Sequence, residues 1–267
     1  MSWFWLALLF TSFAWLSTGI GSIIAFSIKK TNTNFLSISL GFSAWVMIYI
    51  SFVELFSESK EMIFNSLWES WSWLPVISFF VGFGIIALID KLIPNYENPH
   101  EMHNIEELWD KKEAKSFKKL YRIGILMALV ITIHNIPEWL VTFLTTIVNI
   151  KLWIAIAVAI AIHNIPEWIW ISIPIYYATG SKKKAFFYSF LSWLAEPIWW
   201  LICYLILAPF INDTIMWVLF AIIAGIMVFI SFDTLLPSAQ KYWRHNLAIV
   251  WLVSGMLIMA ISLLWLC

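Results

Sequence analysis

Apolar residues run along this chain in long stretches broken by short polar clusters, with no soluble-type alternation of buried and exposed faces. A helix needs about 20 apolar residues to cross a hydrocarbon core. Eight stretches qualify, at roughly 3–28, 35–56, 73–93, 121–148, 151–177, 185–208, 213–236 and 246–266. The pattern predicts an all-α, polytopic membrane helical bundle with eight transmembrane helices, formed by residues 1–267 as a single membrane domain. The one long polar interruption, 95–119, is predicted to be a cytoplasmic loop between the third and fourth spans. The first stretch lacks a basic leader and a small-residue cleavage site, so it is read as a span.

Composition strengthens this reading. Hydrophobic residues make up 62% of the 267 residues and charged residues only 12%, against roughly 45–50% and 25% in soluble domains. The net charge of zero says little, but the placement of charge says more. Fourteen of the sixteen lysines and arginines fall in or beside the connections near 29–34, 94–120, 178–184 and 237–245; only Lys60 and Lys151 fall on the other side. Cationic loops stay in the cytoplasm, so both termini are predicted to lie outside. Cys203 and Cys267 form no disulfide framework and no paired-cysteine zinc motif.

Two segments are related by an offset of 180 residues. The run Ala44-Trp45-Val46-Met47-Ile48-Tyr49-Ile50-Ser51-Phe52 reads against Ala224-Gly225-Ile226-Met227-Val228-Phe229-Ile230-Ser231-Phe232, and each is followed by an acid, Glu54 or Asp233. The two spans run in opposite directions, which is the mark of an inverted repeat. Glu54 is expected near the outer end of its span and Asp233 near the inner end, as waypoints for an ion. The connection carrying Glu58, Glu61 and Glu69 has an acidic bias that favours cations.

The chemistry concentrates in a phrase that occurs twice, His134-Asn135-Ile136-Pro137-Glu138 and His163-Asn164-Ile165-Pro166-Glu167. Residues four apart share a helix face, so each His projects with its Glu. Pro137 and Pro166 lack a backbone N–H, which frees the carbonyls of Ile133 and Ile162. Ionisable groups at membrane depth are expensive and are paired, ligating or on a transport path. Two imidazoles and two carboxylates suit zinc, and iron, cobalt, nickel or copper would also be accepted. Asn135 and Asn164 add amide oxygens, and Glu196, ahead of Pro197 in the sixth span, is a further candidate ligand for a second metal. In the polar loop, His100 and His103 are weak metal candidates. Metal ligands must be deprotonated, so transport is expected to weaken at acidic pH.

At these residues the chain resembles the ZIP family of metal-uptake transporters, in particular its bacterial branch. The resemblance covers nearly the whole chain and is most specific at His-Asn-x-Pro-Glu-Gly, repeated in the fourth and fifth spans. It implies a 3+2+3 arrangement of spans, the outer threes related by inverted symmetry. It also implies a binuclear site: His134, His163, Glu138 and Glu167 would take one metal. Asn135, Asn164 and Glu196, with Glu138 and Glu167 as bridges, would take the other. Zinc would be imported across the cytoplasmic membrane, with iron, manganese, cobalt or cadmium as further substrates. The implied partners are divalent metal ions and the lipid bilayer; no prosthetic group and no nucleic acid are expected, and a homodimer is compatible with the reading. Two rivals are an intramembrane zinc metallohydrolase, which would need a His-Glu-x-x-His helix the chain lacks, and an efflux carrier.

The chain departs from that pattern at Trp139 and Trp168, which stand in the places of the motif's glycines. Tryptophans number 19 and glycines only 9, although glycine averages about 7% of residues and is favoured in membrane helices. Trp68, Trp71 and Trp73 suit an interfacial belt, but Trp139, Trp168, Trp170, Trp193, Trp199 and Trp200 lie near acidic groups, where small residues let helices approach. A gene whose UGA codons mean glycine in its own cell would give this pattern when read with another code.

Overall fold

The computed structural model describes residues 33–67, 71–92, 212–240 and 245–266 continuously, with residues 135, 138–142, 144–145, 154, 156–158, 160–161, 164, 181–184, 186–187, 201–202, 205–206 and 209–210 besides. Every regular element among them is helical. In chain order these are α1 (Thr33–Tyr49), a π-helical stretch (Ile50–Phe56), α2 (Ser57–Leu67), α3 (Leu74–Leu92), α4 (Asp213–Ile230), a second π-helical stretch (Ser231–Leu235), α5 (Leu236–Gln240) and α6 (His245–Leu266). Among the described residues three stretches are long and apolar enough to cross a membrane, Leu40–Asn65, Leu74–Lys91 and Asp213–Leu235. The outward faces agree. Phe80 and Leu88 are 64% and 59% exposed on α3, which hydrocarbon accommodates and water penalises.

Local sequence explains two of the helix starts. Asn212 caps α4, its side chain accepting from Ile215 N at 2.9 Å, and Asp213 adds an acid to the first turn. Pro75 sits in the first turn of α3, where a missing N–H costs nothing. Two predicted ends need correction. The second span was expected to stop near 56, yet helix continues to Leu67, and the seventh continues past 236 to Gln240. Glu58 and Glu61 therefore lie on a helix and not in a loop. The segment 57–67 is less apolar but contains no glycine or proline to stop a helix, and Ser59 on it is fully buried.

The π stretches share a local contact. Ser51 Oγ donates to Met47 O at 2.7 Å, and Ser231 Oγ donates to Met227 O at 2.8 Å. Each hydroxyl bonds the carbonyl four residues back, and at Ser231 it shares that carbonyl with the residue's own backbone N–H, a contact associated with bent helices. The two serines and the two methionines are equivalents at the 180-residue offset.

The same offset governs how the two segments pack. Ser37 Oγ donates to Ala239 O and Ser59 Oγ donates to Trp217 O, each at 2.6 Å. Residues 37 and 217 are equivalents, and so are 59 and 239. The bonds are thus one contact repeated at both ends of an antiparallel pair, with residue 48 level with residue 228 midway between them. α3 packs on α4, and α6 packs on α1. The core between them is formed by Leu40, Met47, Ile50, Leu55 and Phe220, all fully buried, and includes Val141, Leu144, Ile156 and Ile160 from the motif-bearing segments.

Candidate metal centre

Of the ligands predicted from sequence, Asn135, Glu138 and Asn164 are described, and all three are buried; Glu138 is 1% exposed. His134, His163, Glu167 and Glu196 lie outside the described residues, as do His100, His103, Glu69, Trp168 and the carbonyls of Ile133 and Ile162. Among the described residues no three His, Cys, Asp or Glu side chains converge.

Among the described residues the two motif copies approach at Asn164 and Glu138. The Asn164 carboxamide lies 2.9 Å from Glu138 Oε2 and 3.2 Å from Ile160 O. With its nitrogen turned to these two acceptors, the amide donates to both. With its oxygen turned to Glu138, two oxygens face each other at 2.9 Å, a separation that requires a proton or cation between them. A carboxylate this buried is tolerated only when it is hydrogen-bonded or ligating. The pair is thus either a satisfied amide–carboxylate contact or half of an oxygen cage.

The helix beyond Pro137 is held by hydroxyls that sequence reading did not single out. Thr142 Oγ1 donates to Trp139 O at 2.9 Å, and Thr145 Oγ1 donates to Val141 O at 2.7 Å. Both threonines are buried. Their spacing of three made them visible in principle, but threonine on an apolar helix is common and gave no separate signal. Trp139, next to Glu138, is 4% exposed and so occupies space inside the bundle.

The pathway candidates are half-buried. Glu54 falls within the first π stretch and Asp233 within the second. Glu54 does not end its span, because helix runs on for another thirteen residues to Leu67. It lies six residues to one side of the pair's midpoint and Asp233 five to the corresponding side of its own helix. Since the helices are antiparallel, the two acids sit towards opposite ends. Lys182, Lys183 and Lys184 are exposed in the first turn of a helix whose Ser181 hydroxyl accepts from Lys184 N at 3.3 Å.

The profile of the ZIP zinc transporter family matches residues 94–263. The chain is 54% identical to the zinc transporter ZupT of Streptococcus mutans, over 97% of this chain and 96% of that protein. It is 52% identical to the protein of the same name from Clostridium perfringens, over 97% and 95%. The same identity holds for that of Nitratidesulfovibrio vulgaris, over 95% and 94%.

Proposed function

This chain belongs to the ZIP zinc transporter family, and we propose that it carries zinc into the cell through a binuclear site built from the twin motif. The family is one of membrane transporters, so the chain is a transporter and not an enzyme, and the metallohydrolase reading falls away. Relatives named zinc transporters at about half identity over nearly the full length support zinc as the substrate. Iron, manganese, cobalt and cadmium remain further substrates on this reading, because His, Glu and Asn donors do not select by affinity alone.

The observation that carries the proposal is the 2.9 Å approach of Asn164 to Glu138. It draws two residues given the same metal by the sequence reading, one from each motif copy, into a buried place. In the proposed site His134, His163, Glu138 and Glu167 hold one ion. Asn135, Asn164 and Glu196 hold the second, with the two motif glutamates bridging. In the metal-free protein Asn164 donates to Glu138; on loading, its amide turns and offers oxygen. The Glu138 carboxylate then exchanges a hydrogen-bond donor for a cation and is not left bare.

The fold proposed around the site has eight spans in a 3+2+3 order, outer threes inverted, both termini outside. The paired serine bonds and matched π stretches support the inverted relation. Inward transport follows from the family; efflux has no separate observation in its favour.

The test is zinc uptake into proteoliposomes by the Trp139→Gly/Trp168→Gly protein, beside the same protein also carrying Glu138→Ala and Glu167→Ala. Saturable uptake is expected in the first and absent in the second. Equal leak-level entry in both folded proteins would overturn the proposal.

A further inference from the structure

Two helix crossings in this bundle are counterparts, and they differ at one position related by the 180-residue offset. Where α3 crosses α4, a Cβ on Gly82 would collide with the Ile222 carbonyl. Where α6 crosses α1, a Cβ on Gly255 would come 2.8 Å from the Phe42 carbonyl oxygen. Ile222 and Phe42 are equivalents at the 180-residue offset, so Gly82 and Gly255 do the same work in the two crossings. The first crossing has a second glycine, Gly225, whose Cβ would collide with the Phe79 carbonyl and lie 3.0 Å from Phe83 N. The equivalent of Gly225 in α1 is Trp45.

Three observations set Trp45 apart. The crossing on its side is the more open of the two, by the approach of Gly255 to Phe42 against that of Gly82 to Ile222. Its indole Nε1 is buried and meets no acceptor among the described residues, although a buried tryptophan normally places its N–H on a partner. It stands three residues from the midpoint of the reciprocal pair, about 4.5 Å along the helix, far from the interfacial belts that favour tryptophan. Close membrane-helix crossings call for small residues. The Trp45 ring does pack on the core, but its N–H, its depth and the wider crossing beside it all fit glycine better than tryptophan.

We propose that residue 45, together with the motif positions 139 and 168, is glycine in the protein its own cell makes, specified by UGA codons which that cell reads as glycine. Trp139 fills a buried position directly beside Glu138, so the same replacement opens space at the metal site. At position 45 it lets α6 close on α1 as α3 closes on α4. The excess of tryptophan over glycine in the chain, 19 against 9, has the same origin. The inference stands whatever ion the site carries.

The codons at 45, 139 and 168 are to be read from the gene, and the peptide containing residue 45 is to be weighed by mass spectrometry from protein isolated from its source cell. UGA at all three positions and a glycine mass at residue 45 are expected. UGG at position 45, or a tryptophan mass there whatever the codon, overturns the proposal.

Discussion

Glu138 and Asn164 set the terms at the scale of single residues. A carboxylate at 1% exposure within an apolar bundle is costly unless it is partnered, and the Asn164 amide lies 2.9 Å from it; on the proposed reading that amide gives way to a cation. Replacing Asn164 with Ala removes the amide and leaves the carboxylate. Loss of a supporting ligand typically weakens metal sites about 10- to 100-fold. The Asn164→Ala protein is therefore expected to show a KM for zinc uptake raised by about that factor, read from the concentration dependence in proteoliposomes. An unchanged KM would separate Asn164 from the metal. The twin motif was legible here because His, Asn and Glu at fixed spacing form a local pattern. The contact between the copies was not, since nothing in either copy says which residue of the other it meets.

Helix ends and helix pairing belong to the next scale. Hydropathy located the cores of the second, third and seventh spans and the helix α6, and α3 and α6 end within a residue of expectation. It cut the second and seventh short, because an apolar stretch marks membrane depth and a helix stops only where its capping chemistry or breakers stop it. The π stretches also escaped notice, although Ser51 and Ser231 stood in the aligned repeat; a serine's choice of a backbone carbonyl depends on the packing around it. The reciprocal bonds of Ser37 and Ser59 give a prediction. Each buried hydroxyl bond contributes about 1 kcal/mol, and the two lie roughly 33 Å apart along the helix, far enough for their effects to add. Ser37→Ala and Ser59→Ala should lower the stability in detergent by similar amounts, about 1 kcal/mol each, and the double variant by their sum. Thermal unfolding of the three proteins checks this. A loss at one site only would show that the two ends are not equivalent.

For the whole molecule the decisive quantity is the distribution of charge between the two sides. Fourteen of sixteen basic residues fall in or beside connections assigned to one side; on the proposed topology that side is cytoplasmic and both termini lie outside. In a Cys203→Ser protein, Cys267 should then react with a membrane-impermeant maleimide in intact cells. Labelling only after permeabilisation would reverse the topology and, with it, the direction assigned to Glu54 and Asp233. The inverted pairing bears on the same question, because a bundle whose two halves make one contact twice can offer its centre to either face by exchanging the conformations of the halves.

The sequence by itself determined the membrane class and the family, the apolar stretches that became helices among the described residues, the basic bias along the chain, the residue types of the twin motif, and the 180-residue repeat. These are local or composition-borne properties: each is written in the order and character of neighbouring residues. Only the tertiary structure decided where helices end, which carbonyls the serines bind, how Asn164 meets Glu138, and which crossings demand glycine. Those features are contacts between residues remote in the chain, Ser37 and Ala239 being 202 positions apart. A side chain finds such a partner only once the packing of apolar faces has brought the segments together.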